Sequence, residues 1–236
     1  MKTIFYLPLD LETTGFNGPM KNNGNVQGAA HNKILQVAGK ILTEDFKVIT
    51  EFDFMIDHGD INFKEICDVG NFDFHTKTGF WDKYHASKKL SLAVVEQLIV
   101  DFMLPNAIRD YDPKLLDPAL GEIPDYNYRN KMVIYLLGKS VAFDRDFLNQ
   151  QMPSLSQKLS HQIADVSSVR TLLYPIKGFP NILSRTVSTH LAMDDVNAAI
   201  RDSEVLREYM ALTLPAGKWR TLEDVVDHLY TVSKDS

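Results

Sequence analysis

Asp10-Leu11-Glu12 sets two carboxylates at i and i+2 where an apolar strand ends, so both project to one face. Two carboxylates on one face repel each other unless a proton or a cation lies between them, and a hard divalent ion is the usual answer. A bare pair also fits a solvated face. The Thr13-Thr14-Gly15 that follows favours a site, because the glycine allows a turn where the carboxylates emerge. Asp144 follows a second apolar strand, in Gly138-Lys139-Ser140-Val141-Ala142-Phe143-Asp144, and fits either a metal site or a helix start. A phosphate loop is excluded there, since the earlier glycine that it needs falls at Val133. His190 and Asp195 stand at the mouth of a long helix. A neutral imidazole can take a proton from water, and the aspartate can help to hold a cation. Together these segments point to metal-assisted hydrolysis.

Several elements must position these groups. Thr3–Leu9, Ile34–Leu42 and Val48–Ile56 read as strands, the last two joined by a hairpin connection at Thr43–Phe46. Pro8 cannot donate to a ladder and is expected at an edge, a bulge or a strand end. After Ser91 a helical period begins, with Leu92, Val95, Leu98, Ile99 and Phe102 on the core face. Pro105–Lys131 carries four prolines among scattered charges and reads as a surface insertion. Met132–Leu137 is a short strand ending at Gly138, and helices are expected at Phe143–Gln151, Ser167–Tyr174 and Met193–Met210. The last of these carries Val196, Ala199, Ile200 and Leu206 on one face. A capping-box start at Thr221 predicts a C-terminal helix over about 221–231, with Leu222, Val225, Val226 and Leu229 as its apolar stripe. Antiparallel strands followed by alternating helices and strands indicate one α/β domain over 1–236, built on a mixed sheet.

Composition bounds the function. With 236 residues, 44% of them hydrophobic, the chain is long enough to bury a core without staples. Its one cysteine, Cys67, cannot pair within the chain or assemble a thiolate zinc site, so a reducing, cytoplasmic location is expected. The apolar run before Asp10 is too short for a signal peptide, and no run approaches a membrane span. A net charge of −6 argues against clamping duplex nucleic acid by bulk electrostatics, yet suits carboxylates that hold cations.

Asp10-Leu11-Glu12-Thr13-Thr14-Gly15, Ser140–Leu148 and His190-x4-Asp195 together resemble the three motifs of the DEDDh family of 3′–5′ exonucleases. Ile34–Ala38, His75–Gly79, Asp144–Leu148, Met152–Leu155 and Asp165–Ser167 are similar to its oligoribonuclease branch in identity and order. The resemblance implies an RNase H-like fold, with a central mixed sheet flanked by helices, and commonly a homodimer. It implies two Mg²⁺ or Mn²⁺ ions held by Asp10, Glu12, Asp144 and Asp195, with His190 as general base. Thr13, Thr14, Phe16, His75, Ser140 and Ser167 match substrate-binding positions, the serines at the 5′ phosphate and His75 reaching the substrate across the dimer. The implied substrates are single-stranded RNA or DNA or short oligonucleotides, cut to nucleoside 5′-monophosphates. Lys139 replaces an asparagine of the family pattern, and Gln162 an arginine that caps the terminal phosphate; both bear on substrate length. A non-catalytic module of the same fold is the rival, disfavoured because all five catalytic positions carry the expected residue types.

Overall fold

Phe5, Leu7, Leu9 and Leu11 alternate with Tyr6, Pro8, Asp10 and Glu12 along β1 (Thr3–Thr13), which gives the strand one apolar face and one that carries polar groups. β2 (Ile34–Thr43) and β3 (Val48–Ile56) continue the sheet as antiparallel neighbours. Their hairpin closes at Phe46, whose N–H donates to the Thr43 carbonyl. The computed structural model describes residues 2–15, 28–116, 123, 132–173 and 191–213.

α1 (Phe63–Ile66), α2 (Val69–Lys77) and α3 (Phe80–Ala86) follow, then β4 (Lys89–Leu90), which adds parallel to β3. Ser91 caps α4 (Leu92–Gln97) through its hydroxyl, and a π-helical stretch at Leu98–Met103 leads into α5 (Leu104–Tyr111). A 3₁₀ turn spans Pro113–Leu115. β5 (Met132–Gly138) runs parallel to β1, followed by α6 (Ala142–Gln151), α7 (Pro153–Lys158), β6 (Ile163–Asp165), α8 (Val166–Leu173) and α9 (Ala192–Thr213). The sheet order is β4-β3-β2-β1-β5-β6, mixed as expected. The chain divides into two compact units, Met1–Ile200 and Arg201–Ser236; described residues of the second form the last part of α9.

One face of the sheet, with Phe5, Leu7, Leu9, Leu11, Val37 and Ile134, packs on Val95, Ile99, Leu104, Ile108 and Phe147. Leu35 and Met55 join Phe63, Cys67, Phe80 and Tyr84 in a second cluster, where burial pushes the Cys67 thiol up to about 12.

Three expectations change. Pro8 lies inside a central strand, not at an edge; its missing N–H falls on the β2 side, where the ladder passes from the Tyr6–Leu42 pair to the Leu9–Gly39 pair without engaging it. Phe102, expected in the core, is 63% exposed. The π-helical stretch adds a residue per turn, so the buried stripe passes from Ile99 to Val100 and Leu104, and Phe102 rotates outward. Pro105–Tyr111, read as the start of a surface insertion, is helical and buries Pro105, Ala107 and Ile108. Pro105 directly follows the π-helical stretch within one continuous helical run, so its missing N–H coincides with the change of helical pitch. The expected C-terminal helix over 221–231 lies outside the described residues.

Candidate metal centre

β1 delivers Asp10 and Glu12 to the same face, and Asp195 arrives from the first turn of α9. One carboxylate oxygen from each of the three lies within 4.8 Å of the other two. The start of α9 is set by the Leu191 carbonyl, which accepts from the N–H groups of Asp194 and Asp195 at 2.8 and 3.2 Å.

Asp144 enters from α6. Past Pro8 the β5 ladder has ended, so the Leu11 N–H is spent on a side chain and donates to Asp144 Oδ1 at 3.1 Å. That bond ties a buried carboxylate to the middle of Asp10-Leu11-Glu12.

The electrostatics record the crowding. Burial pushes Asp10 well above the carboxylate range, and the charges of Asp144, Glu12 and Asp195 push it further. Glu12 is raised to about 8 by burial and then by Asp195 and Asp144, with Lys83 opposing. Asp144 is raised to about 8, chiefly by burial, although the Leu11 N–H favours its charged form. Buried carboxylates of like charge need protons or a cation, and an all-oxygen donor set suits a hard divalent ion. The residues present therefore fit a metal centre.

A second group gathers at the ends of β5 and β6. Ser140 takes a left-handed backbone with φ 55°, and its N–H donates to Asp165 Oδ1 at 2.9 Å. The Ser167 N–H donates to the same oxygen at 2.9 Å, which brings the two serine hydroxyls within 3.3 Å of each other. The Asp165 charge is felt at Asp144, so this cradle adjoins the carboxylates.

Beside Glu12 lies a cavity of about 450 Å³ lined by Leu11, Thr13, Asn71, Phe74, His75 and Phe143 among others. Thr13 reaches it, but its hydroxyl donates to the Gly15 carbonyl, and the Thr14 hydroxyl accepts from the Lys33 N–H. Both threonines are buried and hold the turn after the strand. His75, expected to serve a partner's substrate, is 2% exposed in this chain, with Nδ1 3.8 Å from Glu12 Oε2. His190 and Phe16 lie outside the described residues.

Sequence reasoning passed over Asn71 and Lys83. Asn71 stands one helical turn before His75, and that i, i+4 spacing was the available signal. Lys83 pairs with Asp53 at 3.0 Å, and Asp53 also accepts from the buried Gln36 amide at 2.5 Å. Only the fold brings that charge near Glu12.

No family model matches the chain. It is 25% identical over 203 residues to the oligoribonuclease of Acinetobacter baylyi, an alignment covering 85% of this chain and 91% of that protein. To the oligoribonuclease of Mycobacterium ulcerans it is 23% identical over 229 residues, covering 95% and 89%. Among solved structures, Escherichia coli exonuclease I in complex with a 5cy-dT13 oligonucleotide superposes with a TM-score of 0.53 at 17% identity. That match covers 88% of this chain and 41% of exonuclease I, so the chain spans about two fifths of its structural neighbour. The fold is the RNase H-like exonuclease fold. No helix among the described residues is long and apolar enough to cross a membrane.

Proposed function

We propose, from its kinship with the oligoribonucleases, that this chain is a metal-dependent 3′–5′ exonuclease acting on single-stranded or short oligonucleotides. The observation that carries this reading is the convergence of Asp10, Glu12 and Asp195 within 4.8 Å on a buried strand end, with Asp144 tied to the same strand. Asp10, Glu12, Asp144 and Asp195 hold two Mg²⁺ or Mn²⁺ ions. When bound, the ions supply Lewis-acid stabilisation of the phosphoryl oxygens in an in-line displacement.

The remaining roles fall to the chain. His190 accepts the proton of the attacking water as general base. Ser140 and Ser167, held together on Asp165, bind the phosphate 5′ of the cut, and Phe16 stacks on a base. The products are nucleoside 5′-monophosphates. A cytoplasmic location and a homodimer complete the proposal.

Incubating labelled single strands of RNA and of DNA with the purified chain tests it. Stepwise release of 5′-monophosphates from the 3′ end is expected with Mg²⁺ or Mn²⁺, and none after chelation. Turnover that persists in excess EDTA, with metal removal verified by elemental analysis, overturns the metal assignment. Metal-dependent binding of oligonucleotide with no product favours the non-catalytic module.

A further inference from the structure

Between Glu12 and Thr13 the β1–β2 register shifts, an irregularity of the kind that re-aims side chains next to active sites. The Thr13 carbonyl at this step is gripped from the side by α2. His75 Nε2 lies 3.0 Å from it, and Asn71 Nδ2 donates to it at 3.4 Å. A carbonyl only accepts, so His75 carries its proton on Nε2. Its other nitrogen, Nδ1, then faces Glu12 Oε2 at 3.8 Å. The imidazole packs on two aromatic rings. Its ring centroid is 4.5 Å from that of Phe80 and 5.4 Å from that of Trp81, inside the aromatic cluster under α3.

We propose that His75, assisted by Asn71, is a positioning residue for Glu12. It holds the end of β1 at the register shift so that the Glu12 carboxylate is presented to the cation shared with Asp10 and Asp195. The inference rests on the metal reading above, and it replaces the substrate contact that the family resemblance gives to His75. Groups that orient a metal ligand from behind set the affinity of the site, and their loss typically costs about 10–100-fold in metal binding. A substrate contact would instead set KM.

His75→Phe separates the two roles, because it keeps a ring in the aromatic cluster and removes both nitrogens. Mn²⁺ binding to the metal-free full chain is measured by titration calorimetry, and KM for a single-stranded oligonucleotide is measured at saturating Mn²⁺. The expected result is Mn²⁺ affinity lowered about 10–100-fold with KM nearly unchanged, and partial recovery in His75→Gln, which restores an N–H donor. Unchanged Mn²⁺ affinity overturns the inference: with a raised KM, His75 is a substrate contact, and with only a lowered melting temperature it is structural. If circular dichroism shows that His75→Phe does not fold, Asn71→Ala carries the test, since it removes the second donor from the surface of α2. Asn71→Ala is expected to weaken Mn²⁺ binding several-fold, and unchanged binding there rejects the clamp. A wild-type chain that binds no Mn²⁺ rejects the metal reading itself, and this inference with it.

Discussion

At the scale of single residues, the carboxylates are defined by what surrounds them more than by their type. Asp10 is flanked by three like charges and desolvated, so Asp10→Asn disturbs the centre of the cluster, whereas the role proposed for His190 is a single proton-transfer step. His190→Ala is expected to lower kcat by about 10²–10⁴-fold with Mn²⁺ binding retained, and Asp10→Asn to be more damaging and to weaken Mn²⁺ binding as well. Single-turnover rates together with metal titrations check both, and near wild-type turnover in His190→Ala would place the base elsewhere. Gly15 is a second sensitive position. A Cβ there would come 2.4 Å from Asp68 Oδ2 and 2.7 and 2.8 Å from the Asn32 amide, and both neighbours are buried. Gly15→Ala should therefore destabilise the fold by about 1–3 kcal/mol through overpacking. An unshifted denaturant midpoint would show that Asn32 and Asp68 can step aside.

Among the elements, the helical segment after Ser91 shows how one extra residue per turn reassigns a whole face. Up to Ile99 the α-period predicts burial correctly, with Val95 and Ile99 fully enclosed. The π-helical stretch then turns Phe102 to solvent and Leu104 inward. Phe102→Ser should accordingly change stability by no more than about 0.5 kcal/mol. Leu104→Ala should cost about 2–5 kcal/mol, and urea denaturation of the two variants decides the phase of the helix. Equal costs would contradict the π-helical register. In β1 the comparable step is the end of β5 at Gly138: beyond the Pro8–Leu137 pair the Leu11 N–H has no strand partner on that side and is available to Asp144.

Across the whole molecule, the raised carboxylates link folding to pH and to metal. Glu12 and Asp144 titrate near 8 when folded and near the ordinary carboxylate value, roughly 4, when unfolded. Between those limits the folded chain holds more protons than the unfolded one, so the stabilisation is fully present below about pH 4 and is lost as pH rises through about 8. Metal-free protein should lose melting temperature over that interval, and added Mg²⁺ should raise it most at the alkaline end. Calorimetric scans across pH with and without Mg²⁺ test this, and a metal-free melting temperature that rises over the interval would contradict the shifts. Substrate length is also decided at this scale. Gln162 offers a neutral amide and lines a separate cavity of about 580 Å³ with Tyr6, Tyr135 and His161, while Lys139 adjoins the Ser140 cradle in sequence. If Gln162 takes the place that the family resemblance gives to a phosphate-capping arginine and Lys139 does not replace its charge, strands of about five and about ten nucleotides should be cut with kcat/KM comparable to a dinucleotide. Lys139→Asn should weaken all of them, and a dinucleotide preference of about a hundredfold would reject the open cap.

The sequence by itself determined the strand and helix types that carry the site, because the apolar runs Thr3–Leu9 and Val48–Ile56 and the period of Met193–Met210 are local properties of the chain. The order of Asp10, Glu12, Asp144 and Asp195 at element ends marked them as candidates for one centre, which the family resemblance then implied. Only the tertiary structure decided what each group touches. The Leu11 N–H meets Asp144 across 133 positions, and His75 and Asn71 reach Thr13 across 62 and 58. Local patterns carry no information about such long-range partners, nor about the register shift after Glu12, which arises from two strands fitting each other. For the same reason Phe102 read as core and Pro105 as loop: both depend on a change of helical pitch that packing against the sheet selects.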